Sequence, residues 1–429
     1  MSIISALYAG ASGLAALSKS IQVVGNNIAN ISTVGFKGSR AEFADLLSQS
    51  LNTPAGKKQV GRGVRVEAVQ GLFHQGSFES TPVVTDVAMN GSGYFVLRDS
   101  AIAPTETFFT RAGQFRVDRD GYLVNALGMV VDGYLFDRAG LPTGNRGAIN
   151  LSSTTAAPNR TGDGTVAGTG ILINLNLDAR QTVPVLPFDV NDPSGTSNFS
   201  SSVTVYDSLG APHTVILYFN KTADNAWDWH GLVDGGEIVG GTAGTFEQEA
   251  SGSLTFDTNG ALLTATTAPG SLFDFTGGAA LGQIIGFDFN GTSQVATASV
   301  VNSLTQDGYG PGALQAIDID REGIITGVFS NGRARPLAQL TIASFPAEAN
   351  LLRVGNNLFS ESVESGQAIY SVANAGTNGT VAASTLELSN VDLSTEFIRL
   401  ITDERAFQAN TKIITAGDQM LETVINMKR

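Results

Sequence analysis

Three histidines, His74, His213 and His230, are the side chains here that ordinarily titrate near neutral pH, and none stands at a metal-ligand or general-base spacing. Each reads as a surface or strand-packing residue. No Gly-x-Ser-x-Gly elbow, Walker loop or Gly-x-Gly-x-x-Gly fingerprint occurs, and with no cysteine there is no thiolate, disulfide framework or Cys-based metal site. Asp318-Ile-Asp320-Arg-Glu322-Gly323 looks like the start of a calcium loop, but the twelfth position is Phe329 where a bidentate Glu is needed. Ile317 and Ile319 alternate with the aspartates, as on a strand entering a hairpin. Asp118-Arg-Asp120-Gly121-Tyr122-Leu123 reads the same way. The expectation is a protein that is not an enzyme, with no catalytic residue, no metal and no cofactor.

Such a chain must earn its function through surfaces. At 429 residues it exceeds the size of one ordinary core, so two or three domains are expected. Charged residues make up only 15%, and 50 glycines beside abundant Ser, Thr and Asn point to many turns and short strands. Twenty-five basic against 39 acidic residues give a net charge of −14, which repels a phosphate backbone and excludes nucleic acid as a partner. The acidity is uneven: residues 151–300 hold three basic residues (Arg160, Arg180, Lys221) and fourteen acidic ones, a net −11. That segment reads as a separate, solvent-facing domain.

Ser2 to Leu17 is apolar and small, yet no Lys or Arg precedes it, which disfavours a cleaved Sec signal. No run of about 18 uninterrupted apolar residues occurs, so no membrane insertion is expected.

Helical periodicity is confined to the two ends. From Ile4, steps of three and four give Ile4, Leu7, Ala11, Leu14, Ser18, Ile21, Val24, Ile28 and Ile31, a heptad-like seam. Similar stepping gives Leu393, Phe397, Leu400, Glu404, Phe407, Thr411, Ile414, Asp418, Leu421 and Ile425. Asn390 or Asp392 is placed to cap a helix running to about Met427, with Lys428 and Arg429 at its negative end. The first stripe is dense in small residues (Ala6, Ala9, Gly10, Ala11, Gly13, Ala15, Ala16), which permit close helix approach on several faces. The two helices are expected to pack on each other.

Between the ends the period is two, as in Val64-Arg65-Val66-Glu67 and Phe115-Arg116-Val117-Asp118, with turn dipeptides Asp120-Gly121, Asp132-Gly133, Asn259-Gly260, Asp307-Gly308 and Asn331-Gly332. Val203–Asp207 and Thr214–Phe219 read as a strand pair around Ser208-Leu-Gly210. The Gly, Ser, Thr and Asn-rich tracts, about 144–170 and 264–282, read as loops. Trp227 and Trp229, two apart on a strand, share one face, as a binding platform or core residues would. The fold class is therefore mainly β with long terminal α-helices, in nested discontinuous domains: 1–32 and 388–429 helical, 33–68 linker or extended, 69–180 and 300–387 β-rich, and 181–299 acidic and β-rich.

Asn26-Asn-Ile-Ala-Asn30 with Ser32-Thr33-Val-Gly35-Phe36-Lys37 near one end, and Leu388-Ser-Asn-Val-Asp-Leu393 with Glu404-Arg405-Ala-Phe407-Gln-Ala-Asn410 near the other, resemble the paired signatures of the flagellar rod and hook protein family. Thr110-Arg-Ala-Gly113-Gln-Phe115 and Asp120-Gly121-Tyr122-Leu123, on to Gly128 and Gly133-Tyr134, are similar to that family's shared β-domain. Val203-Thr-Val-Tyr-Asp207-Ser-Leu-Gly210, Gln306-Asp-Gly308-Tyr-Gly310, Phe329-Ser-Asn-Gly332 and Asn357-Leu-Phe359 resemble its hook members rather than its rod members.

The resemblance implies a hook subunit that polymerises with copies of itself into a curved tube, a universal joint carrying torque from rod to filament. It implies an inner layer of terminal helices that order on assembly, an acidic outer domain, and an extracellular flagellar location. It also implies export through the flagellar type III apparatus, and rod, hook-cap and hook-filament junction proteins as partners. Leu7, Leu14, Ile21, Val24 and Ile28 on the first helix and Phe397, Leu400, Phe407, Ile414 and Leu421 on the last are the expected assembly-interface residues. The competing readings are a distal rod subunit and a secreted β-rich adhesin.

Overall fold

The computed structural model describes residues 3–427 except 48, 54–55, 138–139, 152–154, 163–169 and 269–271. Strands dominate between two long terminal helices, α1 (Ile3–Ala29) and α2 (Leu393–Asn426). Lys428 and Arg429, expected at the end of the last helix dipole, lie outside the described residues. Two compact units divide the chain: Met1–Thr154, Ala316–Val328 and Ala334–Arg429 form one, Thr155–Gln315 and Phe329–Arg333 the other.

In the first unit α2 starts where the expected cap acts: the Asp392 carboxylate accepts the Thr395 N–H at 2.7 Å. Its 34 residues span about 50 Å at 1.5 Å per residue. Beside the helices, Ser39–Asp45 pairs antiparallel with Val64–Gly71, and the Val64 N–H donates to the α1 hydroxyl of Ser12 at 3.2 Å.

The β part of this unit centres on Val130–Phe136, which pairs with Tyr94–Arg98, Pro142–Ala148 and Ala334–Leu340. Tyr94–Arg98 continues to Thr107–Thr110, and that strand to Leu358–Ser360. Period two puts Tyr94 and Val96 on one face, where they meet Phe109, Phe345 and Phe359. The rings pack edge to face, Phe109 on Phe345 at 4.8 Å and Tyr94 on Phe359 at 5.7 Å between centroids. Two short ladders bring the chain ends together: Phe78–Ser80 with Thr385–Glu387, and Val87–Asn90 with Thr380–Ala383.

One expected turn is not a turn. Asp132-Gly133 lies inside the strand Val130–Phe136, because the buried Asp132 carboxylate is an ionic hub: Oδ2 accepts Arg98 Nε and Arg146 Nη2, each at 2.8 Å. By contrast Asp318–Gly323 is the hairpin that alternation anticipated. Ile319 is buried, Asp318 is exposed, and the Asp320 carboxylate accepts the Ile324 N–H at 2.8 Å.

The second unit holds an antiparallel meander, Phe199–Tyr206, Pro212–Ala223, Ala226–Asp234, Phe246–Phe256 and Leu262–Thr267, paired in that order. A smaller sheet around Ile171–Asp178 takes Phe287–Asp288 and Ser293–Val295 in parallel and Val300–Gln306 antiparallel. Trp227 and Trp229 are both wholly buried in one core with Phe219, Phe273 and Phe289. Their indole N–H groups donate to Gln294 Oε1 and the Thr266 carbonyl, each at 3.1 Å, so the pair is core and not platform.

The Val203–Phe219 pair forms as expected, with Val203 opposite Val215 and the Asp207 carboxylate accepting Leu209 and Ala211 N–H groups across the turn. Asp307-Gly308, expected as a hairpin turn, does something else: the Asp307 carboxylate accepts the Gly162 and Gly170 N–H groups at 2.8 and 2.9 Å, tying in a distant loop. The two tracts expected as loops each hold strand, within Pro142–Ala148 and Leu262–Thr267; 152–154, 163–169 and 269–271 lie outside the described residues.

Candidate assembly site

The helices α1 and α2 run antiparallel, fixed by contacts that advance seven residues at a time on α2. Asn27 Nδ2 donates to Glu396 Oε2 at 3.2 Å and Ser20 Oγ to Asp403 Oδ2 at 2.6 Å. One heptad on, a Cβ at Gly13 would lie 2.9 Å from Asn410 Oδ1; a heptad further, one at Gly417 would lie 2.6 Å from Leu7 Cδ2. Glycine leaves room there for the Asn410 and Leu7 side-chain ends, which a Cβ would have to push aside.

This seam differs from the expected stripe. The buried line of α1 is Gly10, Gly13, Ala16, Ser20, Val24 and Asn27, small and polar residues of which only Val24 belongs to the apolar stripe. On α2 the line Glu396, Asp403, Asn410 and Gly417 is interleaved with half-buried Leu400, Ala406, Ile414 and Leu421. The physical reason is distance: small residues let the backbones close up, and the short polar side chains satisfy one another across the gap.

Below the helix pair sits a buried polar clasp. Lys37 Nζ lies 2.6 Å from Glu387 Oε1, with the two side chains 1% and 0% exposed, and Arg111 Nη1 lies 3.5 Å from Glu387 Oε2. Burial lowers the Lys37 pKa, an effect the nearby Glu387 carboxylate opposes. Glu387 Oε1 also accepts the Gly76 N–H at 2.9 Å, and Lys37 Nζ donates to the His74 carbonyl. Asn27 pairs with Ser39 in both directions, N–H to Oδ1 at 2.9 Å and Nδ2 to O at 2.7 Å. Asn390 does the same work from the other end, accepting from Gly38 N–H and donating to the Leu72 and His74 carbonyls. Gly35 holds φ +69°, and a Cβ there would lie 2.6 Å from the Ala112 nitrogen.

Each of these clasp residues belongs to, or touches, a stretch that carried the sequence resemblance. Asn27, Gly35 and Lys37 come from the first signature and Asn390 from the second, while Arg111 comes from the shared β-domain motif. Glu387, one residue outside the quoted motif, was missed; a lone acidic residue at the end of a β-stretch gives no pattern.

Comparison with known proteins matches the chain in four consecutive pieces. Residues 7–37 match the flagella basal body rod protein model, 88–171 the flagellar hook protein FlgE/F/G D1 domain, 176–309 the flagellar basal body protein FlaE D2 domain, and 382–427 the flagellar basal body rod FlgEFG protein C-terminal model. The flagellar hook protein FlgE of Treponema pallidum is 34% identical, covering 99% of this chain and 99% of that protein. The Salmonella typhimurium flagellar hook protein FlgE is also 34% identical, over 97% and 98%. This chain belongs to the flagellar hook protein family. A solved structure, the Helicobacter pylori flagellar hook protein FlgE2, covers 72% of this chain and 100% of its own at 16% identity and a TM-score of 0.48.

Within this hook-family chain the expected interface residues fall into two groups. Val24 is buried and Leu7, Leu14, Ile21, Ile28, Leu400, Ile414 and Leu421 are half-buried, whereas Phe397 and Phe407 are 46% and 36% exposed. Around those two, α2 also exposes Leu393, Ile398, Ile401, Ile413, Met420 and Ile425. An apolar groove of about 340 Å³ lies alongside, lined by Ala9, Ala16, Leu17, Phe43, Val64 and Ala406 among others. Among the described residues no helix is long and apolar enough to cross a membrane.

Proposed function

We propose that this chain is the structural subunit of the bacterial flagellar hook, polymerising through its terminal helices into a curved tube that passes torque from rod to filament while it bends. The observation that carries the reading is the set of large apolar side chains of α2, Phe397, Ile398, Ile401, Phe407, Ile413 and Met420 among them, left exposed after α1 has packed. Each such Phe, Ile or Met would contribute about 1.5–3 kcal/mol on full burial, which neighbouring copies can supply. A contact that repeats head to tail without closing gives a helical polymer.

In this reading residues 1–32 and 388–429 form the inner layer, 69–180 and 300–387 a β-rich middle domain, 33–68 their connection, and 181–299 the acidic outer domain. Leu7, Leu14, Ile21, Val24, Ile28, Phe397, Leu400, Phe407, Ile414 and Leu421 serve assembly, within the helix pair or between copies. The chain is exported by the flagellar type III apparatus, lies outside the cell, and meets rod, hook-cap and junction proteins at its ends. It catalyses nothing. The distal rod and adhesin alternatives lack comparable support, since the relatives matched over nearly the whole length are hook proteins and the tryptophan pair is buried.

Electron microscopy of the purified full chain under polymerising conditions, beside Phe407→Asp and Leu14→Asp, tests this. The expected result is tubes from the unmodified chain and none from either variant, with the β-sheet circular dichroism unchanged. Tubes from Phe407→Asp at unmodified yield would contradict it.

A further inference from the structure

An asparagine followed by glycine can react with its own backbone: the next residue's nitrogen attacks the side-chain amide, and glycine puts no side chain in the way. The chain has five such pairs, beginning at Asn90, Asn259, Asn290, Asn331 and Asn378. At four of them the glycine N–H is committed. Gly91 donates to Gln75 Oε1 at 3.1 Å, Gly260 to the Asp257 carbonyl at 3.0 Å, Gly332 to the Phe329 carbonyl at 2.9 Å and Gly379 to the Ser92 carbonyl at 2.8 Å.

Asn290-Gly291, in the second unit, differs from the rest. Both residues are exposed, and among the described residues nothing accepts the Gly291 N–H and nothing bonds the Asn290 side chain. Their neighbours are held instead. Phe289 and Thr292 are buried, the Thr292 N–H donates to the Phe289 carbonyl at 3.0 Å, and the Asn290 N–H donates to Asp288 Oδ1 at 2.9 Å. The turn therefore presents its asparagine amide and its glycine nitrogen to water together.

The pair also stands where backbone length matters. It joins Phe287–Asp288 to Ser293–Val295, two strands that both run parallel to Ile171–Asp178. Just beyond it, Thr292 Oγ1 donates to the Ile173 carbonyl at 3.3 Å and Gln294 Oε1 accepts the Trp227 indole N–H at 3.1 Å. The number of backbone atoms between Asp288 and Ser293 thus fixes where Gln294 meets the aromatic core.

We propose that Asn290 is a self-modification site, at which the folded chain converts its own asparagine to aspartate and isoaspartate. The Gly291 nitrogen gives up its proton to hydroxide and attacks Asn290 Cγ, closing a cyclic imide. The Cγ–Nδ2 bond breaks, and the nitrogen leaves as ammonia after taking a proton from water. Water then opens the imide at one carbonyl or the other, which gives aspartate or isoaspartate with no oxidant or cofactor. Each event adds a negative charge beside Asp288, in a unit whose four basic residues (Arg160, Arg180, Lys221, Arg333) against fifteen acidic ones already give −11. The isoaspartate form also lengthens the main chain by one carbon ahead of Ser293, which strains the parallel pairing with Asn176. The reaction needs only this turn and water, whether or not copies polymerise.

The purified full-length chain is incubated folded in mildly alkaline buffer, and its peptides are scored by mass spectrometry for exchange of amide for acid at each of the five asparagines. Isoaspartate is read by enzymatic methylation. Asn290 is expected to convert at least about fivefold faster than any of the other four, the factor by which one ordinary hydrogen bond holds back their glycine nitrogens. In urea, where those bonds are lost, the five rates should converge. Asn290→Gln, whose longer side chain would have to close a larger and slower ring, should lose most of the isoaspartate with circular dichroism unchanged. Equal or faster conversion at another of the five in the folded chain overturns the inference. So does isoaspartate undiminished in Asn290→Gln, or a urea series that keeps the folded order of rates, which would trace the preference to local sequence and not to the turn.

Discussion

Lys37 and Glu387 lie 350 positions apart and are both buried, so their pairing draws the N-terminal and C-terminal segments into one unit. A buried pair adds little net stability over an apolar one, but removing one partner strands the other charge. Glu387→Ala leaves both Lys37 and Arg111 uncompensated, and is expected to destabilise the unit by about 3–5 kcal/mol in urea unfolding. Unchanged stability would show the clasp to be incidental. A milder control lies at the α2 cap, where hydrogen bonds from Thr395 hold the Asp392 pKa below its usual value. The folded-state pKa being the lower one, the cap's contribution is present above the unfolded value of about 3.9 and fades as pH falls through the folded pKa. Far-UV circular dichroism followed down to strong acid should therefore show helix melting at milder temperature there, with Asp392→Ala already shifted at neutral pH. At this scale the sequence marked Asn27, Gly35, Lys37 and Asn390 through their signatures, whereas their roles depend on partners hundreds of residues away.

Helix ends, strand alternation and most hairpins were legible because each is a local pattern. Asp392 caps, Ile317 and Ile319 alternate with exposed aspartates, and Asn259-Gly260 turns. What failed was long-range. Asp132-Gly133 reads as a turn until two arginines from elsewhere meet its carboxylate, and Asp307 reads as one until Gly162 and Gly170 do. The helix seam was displaced for a related reason: apolar stepping finds large side chains, whereas this seam is built from Gly13, Ser20 and Asn27 against Asn410, Asp403 and Glu396. Their matched seven-residue spacing is the signal that would have revealed it. Gly13→Val tests the seam directly. It should force the helices apart at a cost of about 1–3 kcal/mol and weaken assembly, leaving the aromatic cores intact by near-UV circular dichroism. Wild-type assembly by this variant would mean that close approach is dispensable.

At the scale of the molecule, two β-rich units with well-filled aromatic cores, the first of which includes a helix pair with several large apolar side chains still exposed, make up a chain that matches hook proteins from end to end. In the function proposed above, the helices would supply adhesion and the acidic unit a charged, soluble surface. Immunogold electron microscopy of detergent-extracted flagella, with antibody against residues 185–300, tests that account most directly. It predicts label confined to a short curved segment between basal body and filament. Label along the long filament, or none on any flagellar structure despite binding to the purified chain, would contradict it.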